Sequence, residues 1–231
     1  ELNKKAAIQA GIQCNIAHPA DPDHPYLKRK QIKPIEGLKQ DPTSGELIVP
    51  IYCKDGNIIS RQTINEDGGK YFLKDGQTKG GYFDFGETTE NIVICEGFAT
   101  GASIYEAIGN RVRCAFNCGN LKEVAITTRE EYPKGHIIIA GDDDQAIFRW
   151  AGADVNSFIA QTGKFLKLTE SHRVPRVVHD VAMKIVKRIS KRHHKEWKPK
   201  NKRGSLSYYH NFQDIDMSSG EWYVLARTRH M

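Results

Sequence analysis

The chain is poor in methionine and tryptophan, with three of each in 231 residues, and it has five cysteines. Cys14, Cys53, Cys95, Cys114 and Cys118 make no even framework and no C-x-x-C pair. That spacing excludes a disulfide-stapled secreted scaffold and the usual zinc ribbons. Cys14, His18, Asp23 and His24 fit no standard finger, so no zinc is expected there. Cys95 and Cys114 sit inside apolar runs, as buried reduced thiols do. No apolar run approaches the ~20 residues that span a bilayer, and no signal-peptide pattern opens the chain. A cytoplasmic protein without a membrane partner is therefore expected. The chain opens on Glu1, as a fragment would. Low-complexity segments and internal repeats are lacking. So is any G-x-x-x-x-G-K-[ST] phosphate cradle, which excludes self-sufficient ATP hydrolysis by this chain.

What is present is unevenly distributed. The net charge is +6, but residues 172–203 carry twelve Lys or Arg against Asp180 and Glu196. A basic block beside a carboxylate-rich remainder suits a nucleic-acid partner, and a solvated helix face would read the same way. Upstream, residues 4–10 read as a short helix, and a Pro-rich stretch follows from Pro19 to Pro25. From Glu46 to Gly86 the apolar period is two. LIVPIYC (47–53), IISRQTI (58–64), KYFLK (70–74) and GYFDF (81–85) read as strands of one small antiparallel sheet. Asp55-Gly56 and Asp75-Gly76 are the dipeptides of type I′ hairpin turns.

From Glu90 the pattern alternates. NIVIC (91–95), VRCAF (112–116) and HIIIA (136–140) read as strands. ATGASIYEAI (99–108), closed by Gly109, reads as a helix, and a second helix runs from Asn120 to about Arg129. Asn120 and Glu123 have the spacing of a capping box. Strand–helix–strand–helix–strand predicts a parallel sheet, whose ligands collect at the carboxyl ends of its strands. Glu96 follows the first strand; Asp142 and Asp144 follow the third. If those strands are neighbours, three carboxylates share one rim. Oxygen-only ligands there suit Mg²⁺, or Mn²⁺, and the cation offsets their mutual repulsion.

ICEGFATGASIYEA, AFNCGNL and IIIAGDDD resemble the Toprim domain of bacterial, phage and plasmid primases. The text from HPYLKRKQIKP through KYFLKDGQTKGGYF is similar to what precedes Toprim in plasmid- and phage-type primases, so the resemblance spans about residues 20–144. It implies Mg-dependent nucleotidyl transfer in DNA replication, with Glu96, Asp142 and Asp144 as metal and catalytic residues. Single-stranded DNA, nucleotides and other replication proteins would be its partners. Lys70, Lys74 and Lys79 would touch template or nucleotide phosphate, or be ordinary exposed turn lysines.

From Gly141 the text also resembles superfamily 1 DNA helicases. GDDDQAIFRWAGADVNSF is similar to their third motif and LTESHRVPRVVHDVA to the next; GEWYVLARTR resembles a strand of their second motor domain. That resemblance implies that Gln145 and Arg173 face a nucleotide phosphate and that Trp150 stacks on a single-stranded base. Ala151 departs from the arginine common there. GDDDQ satisfies both families, which suggests a junction of two replication genes in a mobile element or in an assembled sequence.

The fold expected is α/β: a Toprim-like parallel sheet with helices, preceded by a small antiparallel β subdomain and followed by a basic helix and a short β tail. The divisions expected are 1–89, 90–170 and 171–231. ADVNSFIAQTG and KFLKL would supply a further helix and strand to the α/β layer. The basic helix is placed at 174–195, with Val178, Val181, Ile185 and Ile189 along one stripe. Its other face carries Lys184, Lys187, Arg188, Lys191, Arg192 and Lys195, of which Lys187, Arg188, Lys191 and Arg192 are candidate nucleic-acid contacts. Three readings stay open: a primase-like enzyme, a helicase-derived single-strand-binding module without ATPase activity, or an inactive primase–helicase chimera.

Overall fold

The computed structural model describes residues 1–88, 90–140, 160, 163–190, 192–220 and 222. The chain divides into two compact units. One comprises Glu1–Gly163 with Lys191–His193, the other Lys164–Ser190 with His194–Met231.

The first unit opens with α1 (Leu2–Ile16), longer than the helix the sequence predicts. Its small residues Ala6, Ala10 and Cys14 recur every four positions and form the buried face. Cys14 packs with Ala17 and Ile48. The short strand β1 (His18–Pro19) leads to α2 (Pro25–Lys30). Pro25 suits the first helical position, where no N–H is needed. His24 Nδ1 accepts the N–H of Tyr26 at 3.2 Å, and Nε2 lies 3.1 Å from the Gly45 carbonyl. Those two bonds require the Nε2–H tautomer and engage both ring nitrogens, so His24 acts as a helix cap.

β2 (Lys39–Gln40), β3 (Leu47–Tyr52), β4 (Ile58–Ile64) and β5 (Lys70–Phe72) join β1 in a five-stranded antiparallel sheet, in sequence order. The hairpin signals are only half fulfilled. At 55–56 the positive φ falls on Gly56 (77°), and at 75–76 on Asp75 (59°). A type I′ turn needs it at both residues, so neither turn is of that type.

The GYFDF run departs from the sequence expectation. Its core, β6 (Phe83–Phe85), leaves the antiparallel sheet and forms an edge of the second sheet. Phe83 and Phe85 are buried against both sheets, and alternation alone does not say which sheet a strand joins. The second sheet also holds β7 (Asn91–Cys95), β8 (Arg111–Cys114) and β9 (His136–Ala140), in the order β6-β8-β7-β9. β7 pairs in parallel with both β8 and β9, and β6 lies antiparallel to β8. The molecule is thus a mixed α/β protein, with an antiparallel sheet preceding a mostly parallel one.

α3 (Phe98–Ile108) and α4 (Leu121–Glu131) connect the parallel strands. Val93 and Cys95 face α3 and the first sheet, and Ile94 faces Leu121 and Val124 of α4. Both faces of β7 are therefore covered, as a central parallel strand requires, whereas Ile138 of β9 is exposed. Each fully buried Ile, Leu or Phe contributes roughly 1.5–3 kcal/mol. α3 lies close on the strands because Gly101 has no side chain. A methyl there would stand 2.6 Å from Cys114 Sγ and 3.0 Å from Val112 Cγ1. Gly109 ends α3 in the left-handed region (φ 65°).

In the second unit, α5 spans Arg176–Val186 and stops well short of residue 195. Lys187, Arg188 and Ile189 follow it, so the expected basic face is only partly helical. KFLKL (164–168) and GSLSYYHNF (204–212) contain no strand. A parallel bridge joins Glu170 and Lys198. ADVNSFIAQTG and WYVLAR fall mostly outside the described residues. Among the described residues no helix is long and apolar enough to cross a membrane.

Candidate active-site rim

The sequence places glycine, alanine and β-branched residues where strands must pass under α3, and it puts polar residues where those strands end. The register then decides which ends meet. Cys95 pairs with Ala140 across β7 and β9, and with Cys114 across β7 and β8. Neighbouring strands lie about 4.8 Å apart. β7 thus ends one residue before Glu96 and beside the end of β9, two residues before Asp142. The strands expected to carry the carboxylates are adjacent and level. Asp142, Asp144, Gln145, Trp150 and Lys191 lie outside the described residues.

Glu96 is exposed, yet the surrounding chain crowds its carboxyl enough to raise the pKa above the usual carboxylate range. Lys70 partly opposes that rise. Lys70 belongs to β5 of the other sheet, and its Nζ would lie 3.7 Å from a methyl placed on Gly97. Lys70 is exposed, yet crowding of its amine by the surrounding chain, and then the neighbouring Lys30, pull its ammonium below the usual lysine value. Phe72, also on β5, meets Phe116 edge-on with ring centroids 6.1 Å apart. Side chains of β5 therefore reach the carboxyl ends of both β7 and β8.

Phe116 holds a φ of 67° just past the end of β8. A left-handed non-glycine residue costs on the order of 1–3 kcal/mol and is common beside functional sites. Next to it, Asn120 performs a task the capping-box spacing does not predict. Its side chain makes no helix-cap bond. Its Nδ2 lies 2.8 Å from the Gly81 carbonyl, 3.0 Å from that of Ala115 and 3.1 Å from that of Thr78. Its Oδ1 accepts the Gly80 N–H at 2.7 Å. The residue thereby ties the 78–81 loop to the end of β8. Glu123 pairs with Lys79 at 3.7 Å instead of closing a box. Lys74 is exposed.

Beneath the rim lies an ion network that sequence reasoning missed. Arg113 is 2% exposed. It donates to Asp84 at 3.1 Å, to Thr128 Oγ1 at 3.0 Å and to Glu131. Arg111 grips Asp84 through two bonds, of 2.9 and 3.0 Å. Tyr82 donates to Glu131 at 3.1 Å, sits 4.3 Å below the Arg113 guanidinium, and has its phenol pushed up to about 12, chiefly by burial. The network fastens β6 to β8 and α4. Its signal was an arginine inside the apolar strand VRCAF, because a buried arginine requires carboxylates and Asp84 alternates within FDF.

In the second unit Arg173 is exposed, and its N–H reaches Ser171 Oγ at 3.4 Å. Lys187 and Arg188 are exposed beyond α5; Arg192, which belongs to the first unit, is half-buried.

Comparison with known proteins finds the Toprim domain family over residues 91–171, a match that runs through the GDDDQ string. DNA primase TraC of Escherichia coli is 33% identical over 150 residues, covering 63% of this chain and 14% of that protein. A second Escherichia coli DNA primase TraC is 35% identical over 150 residues, covering 63% of this chain and 10% of that protein. The chain therefore corresponds to a small part of these relatives. The primase fragment of the bacteriophage T7 primase-helicase protein aligns with a TM-score of 0.36 at 14% identity, over 55% of this chain and 54% of that one.

Proposed function

We propose that this chain is a primase-like DNA replication module whose Toprim rim holds a divalent cation for nucleotidyl transfer. The observation that carries the reading is the level pairing of Cys95 with Ala140, because it ends two strands together, one residue before Glu96 and two before Asp142 in the chain. The proposed set of Glu96, Asp142 and Asp144 is oxygen-only, which suits Mg²⁺ or Mn²⁺. Glu96 supports the fit: its carboxyl binds a proton more tightly than usual, as an anion awaiting a compensating charge does. Asp142 and Asp144 would complete the set. A bound cation would polarise a phosphoryl oxygen and orient the incoming nucleotide.

The chain's own residues divide the remaining work. Glu96 is a ligand or the group that moves a proton at its carboxylate. Lys70 sets a cation beside Glu96 where a nucleotide or template phosphate would lie, with Lys30 adding to the positive field. Lys74 and Lys79 are further phosphate contacts. Single-stranded DNA and nucleotides are the proposed partners, as the likeness to DNA primase TraC suggests.

Mn²⁺ binding followed by electron paramagnetic resonance, together with Mg²⁺-dependent primer synthesis on single-stranded DNA, tests the reading. Glu96→Gln and Asp142→Asn should each abolish tight metal binding and reduce synthesis to background. Unchanged metal affinity in both variants would overturn it.

A further inference from the structure

The basic tail carries a feature that the rim chemistry does not use. Lys198, Pro199, Lys200, Asn201, Lys202 and Arg203 form a ribbon held by its backbone against the segment entering α5. Lys198 donates its N–H to Thr169 at 2.7 Å and accepts that of Ser171 at 2.9 Å. Lys200 donates to Val174 at 2.9 Å. The carbonyls of Lys202 and Arg203 accept the first N–H groups of α5, from Arg176 at 3.0 Å and Val177 at 3.1 Å. Asn201 Oδ1 takes a further bond from the Arg176 guanidinium at 3.0 Å. With its main chain engaged, the ribbon exposes the side chains of Lys198, Lys200, Lys202 and Arg203 to solvent.

This arrangement gathers positive charge, with Glu170 and Asp180 as the carboxylates of the same segment and helix. The amino end of a helix is its positive end, and acidic side chains are favoured there. α5 has none in its first turn. It has instead Arg173 and Arg176, both exposed, and the cations of the ribbon docked onto it. The N–H groups of Arg176, Val177 and His179 are already occupied, so a ligand there is taken chiefly by side chains. A polyanion relieves the repulsion. Exposed aromatics indicate which polyanion: Tyr208 is 82% exposed and Tyr209 55%, a few residues beyond the ribbon. Cations that follow a phosphate backbone, joined to aromatic faces on which bases stack, are the two components of single-strand binding.

We propose that the ribbon 198–203, with Tyr208 and Tyr209, is a binding track for single-stranded nucleic acid that uses no residue of the carboxylate rim. The lysines hold phosphates and the tyrosines hold bases. The site goes beyond the primase-like reading and would persist if that reading failed.

The test is fluorescence anisotropy of the full chain with labelled oligo-dT in EDTA, which removes any metal-dependent contribution from the rim. Substituting Gln for Lys198, Lys200 and Lys202 together should weaken binding by about tenfold or more and flatten the log–log salt dependence by about 2. The same three positions changed to Arg should restore both. Tyr208→Ala should weaken binding by roughly 5-fold to 150-fold without changing the salt slope. Unchanged affinity and slope in the Gln variant would overturn the proposal. So would phosphatidylserine vesicles that compete as well as oligo-dT while the tyrosine variant binds normally, because that pattern marks a surface selective only for negative charge.

Discussion

Between Glu1 and Ala140, residues such as Leu27, Leu47, Val49, Ile51, Ile92 and Ile94 are wholly withdrawn from solvent. Between 163 and 222 none of the described residues is buried, and Leu166 and Leu168 are 86% and 91% exposed. Both stretches contain apolar residues in regular local patterns. NIVIC and KFLKL are comparable five-residue runs, yet only the first is a strand. Val178 and Ile185 line a helical stripe as the sequence predicts, and both are exposed on α5. A pattern is stabilising only when a second apolar surface covers it. β7 has β8 and β9 beside it and helices on both faces; the tail's apolar residues have no comparable cover among the described residues.

The contrast can be broken or sharpened experimentally. The largest effect should appear in amide hydrogen exchange. Amides of β3, β4 and β7 should be protected by several orders of magnitude, near the global limit, and those of 164–168 and 204–210 should exchange almost freely. Comparable protection in both regions would remove the distinction. Next in size is the buried network. Arg113→Ala takes the guanidinium from Glu131, leaves Asp84 to Arg111 alone and should cost about 3–5 kcal/mol in urea unfolding. The tail counterpart Arg188→Ala should stay within about 0.5 kcal/mol. Gly101→Ala should follow at roughly 1–3 kcal/mol, because its methyl meets Cys114 and Val112 across a helix–sheet contact with no slack. A neutral result there would mean that α3 can lift from the sheet.

The smallest effect concerns Glu96. Its carboxyl keeps its proton to higher pH in the folded chain than in the unfolded one. Between those two pKa values the folded state binds more protons, so stability falls as pH rises through that window. Glu96→Gln should therefore raise the melting temperature slightly at pH 7 in EDTA. The gain should vanish below the ordinary glutamate pKa of about 4.3. A lower melting temperature at pH 7 would show that the carboxylate stabilises the fold instead of adding a local cost that a cation offsets.

Legibility in the sequence followed the range of the interaction involved. The strands of the parallel sheet and the glycine that closes α3 were readable because apolar runs and capping residues act over a few positions. Glu96 was readable as a rim residue because it immediately follows such a run. The period of GYFDF points to the antiparallel sheet, whereas its core joins the parallel one, through pairing with β8 between residues about thirty apart in sequence. Asn120 looked like a cap because Glu123 stands at the right spacing, and the carbonyls that claim its amide come from 78–81 and 115. Lys70 was one exposed hairpin lysine among three until the fold brought its amine beside Gly97.

The amino-acid sequence by itself determined where strands and helices form in residues 47–140, that a carboxylate follows the first parallel strand, and that positive charge gathers between 172 and 203. These are consequences of local period and composition. Only the tertiary structure decided that β7 and β9 lie side by side and end level, that Arg113 is held by Asp84 and Glu131, and that the ribbon 198–203 is pinned to the start of α5. Each depends on hydrogen bonds and charges between segments distant along the chain, whose pairing no local pattern encodes.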